Sequence, residues 1–293
     1  MNCHKKIVGP IIFILIVLSV AVVHQFFYNQ KVLKEIKSHK TDDIVDQHFI
    51  SPKDTTPLPD TPGERLKLPI LMYHHVGSLP ENPTALRKDL TVSSENFETQ
   101  VKWLAENSYH TISLKDLYNY SLGKFTLPKN PIIFTFDDGY QDVFVNAVPI
   151  LKKYNFTGSF AIITQYPDSK EEDNFYASWP DIAIAFESGQ EIVSHTQNHF
   201  DGRNPKFSVD FIRQNLCASK TDIKDHLGID TNILIYPYGH YTAHYIEEAK
   251  SCGFDLGITV HEGNIINPKN LMEIPRVRVH GNETLEKFIL LAF

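Results

Sequence analysis

The chain of 293 residues is long enough for one large domain, and its 42% hydrophobic and 12% aromatic content is typical of a globular core. Its formal net charge of −7 argues against nucleic acid or an anionic membrane surface as a partner. The cysteines Cys3, Cys217 and Cys252 form no C-x-x-C pair, and their spacing leaves a Cys217–Cys252 disulfide open.

The N-terminus has the pattern of an export segment. Lys5 and Lys6 precede an apolar run from Ile7 to Val23, whose length lies between a signal-peptide core and a full membrane span. We therefore expect residues 1–28 to be a membrane anchor or a cleaved signal segment, with the anchor favoured. Either alternative leaves the rest of the chain outside the cytoplasm.

The next segment, residues 29–67, is charged and then rich in proline. Proline fixes φ and removes a backbone donor, so regular structure is excluded and the chain is extended. We expect a flexible stalk here, followed by a folded domain over residues 68–293.

From residue 68 onwards, short apolar runs alternate with amphipathic segments. Seven runs resemble strands: "LPILMYHHV", "PIIFTFDD", "GSFAIIT", "QEIVSHT", "NILIYPYG", "FDLGITV" and "IPRVRV". The helix-like segments between them include "SSENFETQVKWLAENS", "DVFVNAVPILKKYN", "SWPDIAIAFESG", "SVDFIRQNLCASKTDIKDHLG" and "TAHYIEEAKSCG". This alternation predicts an α/β domain with a mainly parallel sheet, and seven strands predict a closed or nearly closed barrel.

Two polar pairs follow predicted strands at the point where each strand ends. Asp137 and Asp138 come directly after "IIFTF", although Asp-Asp-Gly by itself is more often only a turn. His195 and His199 follow "EIVS" with H-x-x-x-H spacing. An aspartate and two histidines at neighbouring strand ends form a common ligand set for zinc or a similar divalent ion, so we expect a metal site here.

A second H-x-x-x-H pair shows how weak this spacing is alone. With 14 histidines in the chain, such a pair is expected by chance. His240 and His244 fall where a helix is predicted to begin, and we expect a solvated or partly packed helix face there rather than metal ligands.

Four motifs, taken in order, resemble one family. "LMYH", "TFDDG", "SHTQNH" and "YPYG" are similar to motifs of the polysaccharide deacetylases of the NodB-homology type, carbohydrate esterase family four. The resemblance covers about Leu68 to His280 and implies a distorted (β/α)7 barrel. Because Leu71-x-x-His74 stands at the front, the chain is most similar to the circularly permuted poly-N-acetylglucosamine deacetylases.

The resemblance implies a role for each motif residue. Asp138, His195 and His199 would bind a divalent metal, expected to be Zn²⁺. Asp137 would be the general base that takes a proton from the attacking water. The backbone N–H of Tyr238 would help to hold the oxyanion, unless this residue serves only in aromatic packing.

The sequence departs from the family pattern in its third motif. An arginine that orients the base is expected before the Pro-Tyr pair, but Ile235 and Tyr236 occupy that stretch. Arg276 in "EIPRVRVH" would supply the missing guanidinium to Asp137, unless it is an ordinary charge at the rim.

The usual C-terminal leucine-x-x-histidine motif is also absent as such. His74, at the end of an apolar strand, would then be the general acid that protonates the leaving amine. His75 alternates to the other side of the strand, where we expect it to pack between barrel and helices. His280 ends the last strand and is the main alternative acid.

The sequence therefore predicts a membrane-anchored, exported, metal-dependent N-deacetylase of N-acetylglucosamine polymers, with poly-β-1,6-N-acetylglucosamine of a biofilm or cell envelope as the favoured substrate. A chitooligosaccharide or peptidoglycan N-deacetylase and an O-acetyl esterase are alternative enzymes. A sugar-binding pseudoenzyme is the alternative from another class, although intact Asp–Asp and His–His pairs argue against it.

Overall fold

The computed structural model describes residues 65–293. Within them, seven parallel strands form a barrel: β1 Ile70–Tyr73, β2 Pro131–Phe136, β3 Ser159–Ile162, β4 Glu191–Ser194, β5 Ile233–Ile235, β6 Leu256–Glu262 and β7 Ile274–Arg278. Each strand pairs with the next one in the chain, and β7 pairs with β1. The barrel is therefore closed, which confirms the seven-stranded α/β fold predicted from the sequence.

Short strands extend the barrel at its margins. Leu66–Lys67 pairs antiparallel with Ile265–Ile266, so the folded domain begins before the boundary at residue 68 that the sequence suggested. The other short pairs are His75–Val76 with Thr91–Val92, His110–Thr111 with the start of β2, and the hairpin of Lys170–Glu171 and Asn174–Phe175.

Helices connect the strands and cover the outside of the barrel. They are α1 Ala85–Leu90, α2 Ser94–Glu106, α3 Leu114–Ser121, α4 Val148–Lys153, α5 Trp179–Glu187, α6 Val209–Leu227, α7 Ala243–Ser251 and α8 Leu285–Ala292. A π-helical turn, Val143–Ala147, leads into α4. The five predicted helical segments correspond to α2 and α4 to α7. The sequence analysis had not singled out the short helices α1, α3 and α8.

Serine and threonine mark where these helices begin. Before seven of the eight helices, a hydroxyl accepts an N–H of the first turn: Thr84, Ser93, Ser113, Ser178, Ser208, Thr242 and Thr284. Each such cap satisfies a donor that the helix itself leaves unpaired. The long helix α6 ends at Gly228, whose φ of 72° lies in the left-handed region that glycine adopts without cost.

The core lies on both sides of the barrel wall. Every residue of β1 and β2 is buried, as expected for parallel strands that have packed side chains inside the barrel and helices outside. Tyr73, Phe97 and Phe136 pack in edge-to-face and stacked pairs with ring centroids 5.2–5.8 Å apart. The barrel wall is therefore rigid where it carries the polar strand ends.

A disulfide joins two helices on the outside of the barrel. Cys217 of α6 and Cys252 at the end of α7 are bonded, with Cα atoms 5.0 Å apart. The pairing that the spacing had left open is thus present in the structure.

The predicted anchor, residues 1–28, and nearly all of the predicted stalk lie outside the described residues. Within residues 65–293, no helix combines the length and the apolar character needed to span a bilayer.

Candidate active site

The candidate site lies at the carboxyl ends of the barrel strands. Asp137 and Asp138 follow β2 directly, and His195 follows β4. His199 lies in the turn beyond His195. Since all strands run in parallel, their carboxyl ends meet at one mouth of the barrel, and the four side chains are brought together there.

Asp138, His195 and His199 form a cluster with the geometry of a metal site. Oδ1 of Asp138 lies 3.2 Å from Nε2 of His195 and 3.2 Å from Nε2 of His199. Ligand atoms bound tetrahedrally to one zinc ion at about 2.1 Å are about 3.4 Å apart. Within the described part of the chain, this is the group of three potential ligands that lies close enough to hold an ion.

The surroundings of His195 favour metal binding. Its Nδ1 donates to the backbone carbonyl of Ile235 at 2.8 Å. Because a carbonyl only accepts, this bond places a proton on Nδ1, so a neutral ring offers the lone pair of Nε2 to a cation beside Asp138. The donor set of two imidazoles and one carboxylate, with room for a fourth ligand, therefore fits a catalytic zinc site.

The ionisable side chains of the cluster shift one another's pKa values. Burial by itself raises the pKa of Asp138, but hydrogen bonds to His195 and His199 outweigh it and hold that pKa well below its usual range. Burial lowers the pKa of His195, but the hydrogen bond to Asp138 and the charges of Asp137 and Asp138 together outweigh burial, so the net change is upward. The cluster thus keeps a carboxylate ionised at the base of the mouth, where a cation would be attracted.

The backbone turns sharply where the ligands leave their strands. Asp138, Thr196 and His199 have φ values of 73°, 66° and 58°, in the left-handed region that non-glycine residues rarely adopt. Such conformations cost free energy and concentrate at functional sites. Here they redirect the chain so that side chains from separate strands point to one place.

Arg276 holds Asp137 from inside the barrel. Its two terminal nitrogens, Nη1 and Nη2, donate to the two carboxylate oxygens of Asp137, each at 2.7 Å, and Arg276 is fully buried. Burial raises the pKa of Asp137, but the guanidinium outweighs this effect and holds the pKa below its usual range. Arg276, on β7, therefore supplies Asp137 with the guanidinium partner that the third motif lacks. This contact keeps Asp137 ionised.

Arg276 donates two further hydrogen bonds. Nε donates to the carbonyl of Thr259 at 2.8 Å, and Nη1 also donates to Oγ1 of Thr135 at 2.9 Å. Tyr236, which stands near the expected position of the family's arginine, is buried and donates to the carbonyl of Met272 at 2.9 Å. A planar fork with several fixed partners orients the base carboxylate more tightly than a single contact would.

His74 and His280 have different charged neighbours. Burial lowers the pKa of His74, while Asp137 and Asp138 act in the opposite direction. His280 instead bonds to Asp89, 2.7 Å from its Nδ1. His75 is buried, contacts Asp142 through Nδ1 at 2.8 Å and stacks on Tyr140.

Tyr238 lies at the rim of the mouth. Its ring centroid is 4.5 Å from that of His199, and it remains 54% exposed. With a φ of 58°, its backbone is also in the left-handed region. The Tyr238 ring is therefore partly open to solvent beside His199.

The second histidine pair does not join the site. His240 donates from Nδ1 to Asp201 at 2.9 Å, and its Nε2 accepts from Arg203. His244 is three-quarters exposed and bonds to Glu247 on the same helix.

Sequence reasoning missed the aromatic residues beside the cluster. Tyr140 stacks on His75 with ring centroids 3.8 Å apart, and it forms a β-bridge with Tyr176. Burial, and after it the carboxylate of Asp138, raises the pKa of Tyr140 far above its usual value. The only signal in the sequence was the position of Tyr140 directly after "TFDDG".

The fold and the site together define a hydrolase built on an α/β barrel. Residues 124–257 match the family described as "Polysaccharide deacetylase". Over 219 residues the chain is 30% identical to "Putative polysaccharide deacetylase YxkH" of Bacillus subtilis (strain 168), which covers 73% of this chain and 71% of that protein. The chain belongs to the polysaccharide deacetylase family.

Two further proteins are similar over most of this chain. A "Poly-beta-1,6-N-acetyl-D-glucosamine N-deacetylase" of Escherichia coli O157:H7 is 24% identical over 278 residues, which is 82% of this chain but only 41% of that longer protein. The Streptococcus pyogenes deacetylase PplD, solved in complex with acetate, is 26% identical with a TM-score of 0.70, covering 78% of this chain and 100% of that one.

We expect the three clustered residues, and not the second histidine pair, to govern metal loading. His195→Ala or His199→Ala should reduce bound zinc from about one ion per chain to almost none, because two ligands hold the ion much more weakly than three. The measurement is metal content after dialysis against zinc and then metal-free buffer. The His240→Ala/His244→Ala variant is the matched control. Loss of metal from the control, with retention by His195→Ala, would show that the wrong pair was chosen.

Proposed function

We propose that this protein is a metal-dependent N-deacetylase of N-acetylglucosamine polysaccharide, with the poly-β-1,6-linked polymer as its substrate. The observation that carries the proposal is the joint placement of the Asp138, His195 and His199 cluster and the Arg276-held Asp137 in one barrel mouth. When bound, a divalent ion such as Zn²⁺ would polarise the acetyl carbonyl and lower the pKa of water.

Asp137 is the general base of this reaction. It stands next to a metal ligand in sequence, it is ionised, and both of its oxygens are fixed by Arg276. An ionised carboxylate in this position takes a proton from the water that attacks the acetyl carbon. The carbonyl oxygen then gains negative charge, which the backbone N–H of Tyr238 helps to hold.

His74 is the general acid. An amine leaves poorly from a tetrahedral intermediate unless it is protonated, so the C–N bond breaks as a proton reaches the nitrogen. Because burial lowers the pKa of His74, its protonated form is a stronger acid than an exposed imidazolium. The products are acetate and a free amine on the sugar.

The choice of polymer rests on similarity. The E. coli relative is named for the β-1,6-linked polymer, although it is longer than this chain and 24% identical to it. The leucine-x-x-histidine stretch at the front of the domain supports the same choice, because it places this chain with the circularly permuted deacetylases that it resembles.

The direct experiment is acetate release from defined oligosaccharides with and without a chelator. The panel contains β-1,6-linked and β-1,4-linked N-acetylglucosamine oligomers, peptidoglycan fragments and an O-acetylated glycan. We expect chelator-sensitive release that is fastest from the β-1,6 oligomers. Faster release from another member would transfer the proposal to that glycan, and metal-free protein that only binds sugar would support a pseudoenzyme.

We expect Asp137→Asn to retain bound zinc and to lose activity. The amide keeps the shape of the carboxylate but cannot accept the proton, and loss of a general base costs on the order of 10²–10⁴-fold in turnover. Metal content and acetate release are measured on the same sample. Release at the wild-type rate by a metal-loaded Asp137→Asn protein would rule out this residue as the base.

We expect His74→Ala to affect substrates according to their leaving groups. An N-acetyl sugar needs its amine protonated, whereas an activated aryl acetate releases a phenolate that needs no proton. Turnover of the sugar should fall by about 10²–10⁴-fold, with a much smaller loss on the aryl ester. His280→Ala is the control. Wild-type release from the sugar by His74→Ala, with loss in His280→Ala, would move the role to His280.

We also propose that the catalytic domain lies outside the cytoplasm, attached through residues 1–28 or released after their cleavage. The basic and then apolar N-terminus supports export. The Cys217–Cys252 disulfide supports it independently, because disulfides persist in oxidising compartments.

Fractionation of expressing cells tests this location. The full chain should sediment with membranes and resist alkaline extraction, or appear in the medium if it is cleaved. Cys217 and Cys252 should react with maleimide only after reduction. Full-length protein in the cytoplasmic fraction, with free thiols at both Cys217 and Cys252, would contradict the proposal.

A further inference from the structure

A cavity of about 340 Å³ lies beside the candidate active site, and neither the metal ligands nor the proposed base and acid line it. His75 forms part of its wall and stacks on Tyr140, whose hydroxyl lies near the Asp138 carboxylate. A single aromatic side chain therefore connects this cavity to the metal cluster. Its volume is within the range of small-ligand pockets.

An exposed aromatic ring stands at the edge of this cavity. Phe175 is 52% exposed, whereas Tyr176, the next residue, is only 7% exposed, because neighbouring residues of an extended chain face opposite ways. The Lys170 ammonium lies 4.6 Å from the Phe175 ring centroid. A solvent-facing phenylalanine gains little for stability by itself.

The chain on both sides of Phe175 is fixed in place. Tyr176 forms a β-bridge with Tyr140, and their ring centroids are 5.2 Å apart. Asn174 accepts a hydrogen bond from the Arg87 guanidinium. The backbone that carries Phe175 is therefore held beside the barrel mouth by the residues before and after it, and this lowers the entropy that ordering a binding surface costs.

Polar groups face the same cavity. Asp142 accepts from Nδ1 of His75 at 2.8 Å, and Arg87 lies 3.6 Å from the same carboxylate oxygen. The other oxygen of Asp142, Oδ1, is buried and has no hydrogen-bond partner among the described residues. A buried acceptor without a partner is costly, so a donor on a ligand is favoured there.

These groups suit a pyranose ring. A sugar ring has an apolar face of C–H groups, which packs on an aromatic side chain, and a rim of hydroxyls, which bond to carboxylates and guanidinium groups. A second cavity of about 520 Å³ shares Ser78 and Leu79 with the first, so a linear chain has room to continue.

We propose that Phe175, Arg87 and Asp142 form a subsite for the next sugar of the glycan whose acetyl group reacts at the metal cluster. This inference rests on the proposed function and deepens it, because it assigns a preference for oligosaccharides over the monosaccharide. On this proposal, a single N-acetylglucosamine at the metal cluster gains nothing from the cavity, whereas a longer glycan does.

The test compares chain lengths in variants of one residue. For wild-type protein and for Phe175→Ala, Phe175→Leu and Phe175→Trp, kcat/KM is measured on the N-acetylglucosamine pentamer and on the monosaccharide. Phe175→Ala and Phe175→Leu should lower the ratio of kcat/KM on the pentamer to kcat/KM on the monosaccharide by about tenfold. Phe175→Trp should keep the wild-type ratio, because its side chain is also a flat ring. Ile184→Ala, which changes another exposed apolar residue on α5, is the matched control.

Binding of the pentamer to full-length Asp137→Asn protein, with and without Phe175→Ala, is measured by calorimetry. This separates the subsite from the reaction. Weaker binding on loss of Phe175 supports the subsite even if no acetate is released from any glycan, in which case only the proposed function fails. An unchanged ratio and unchanged binding in all Phe175 variants would overturn the subsite while acetate release still stands. Equal losses on both chain lengths would overturn it as well, since the hairpin would then only support the metal cluster.

Discussion

The bidentate pair of Arg276 and Asp137 is the interaction on which the site depends. It crosses the inside of the barrel from β7 to the end of β2, and the same guanidinium bonds to Thr259 on β6 and to Thr135 on β2. Removing one partner from a buried, paired charge typically costs about 3–5 kcal/mol, because the other charge is left without compensation. The contact across the barrel between β7 and the end of β2 and the ionised state of Asp137 therefore depend on the same pair.

The metal cluster depends on a second constraint, the change of direction at the strand ends. A barrel strand must be extended and buried, but ligands from β2 and β4 must converge on one point. The chain meets both demands by leaving the strands through left-handed residues at Asp138, Thr196 and His199. Such residues cost about 1–3 kcal/mol each, and packing of the surrounding barrel must offset this cost.

The strands and the cluster of Asp138, His195 and His199 were predictable from the sequence because their signals are local. Apolar runs of strand length gave the barrel, and polar residues at the ends of "IIFTF" and "EIVS" gave the cluster. The contact between Arg276 and Asp137 could be predicted only from the family resemblance, because 139 residues separate them and no local sequence pattern relates them. The contact of His75 with Asp142 and the hairpin around Phe175 carried no signal, because they depend on side chains that meet only after the barrel closes.

Closure of the barrel between its last and first strands also has a consequence for biosynthesis. The metal ligands lie between residues 138 and 199, but the arginine that orients the base belongs to β7, which pairs with β1 across most of the domain. A chain still emerging from the ribosome or a translocon can thus present all three ligands before its base is oriented. If Asp137 has the proposed role of base, hydrolysis requires the C-terminal strand, and a chain clipped before β7 would lack the arginine that pairs with this carboxylate.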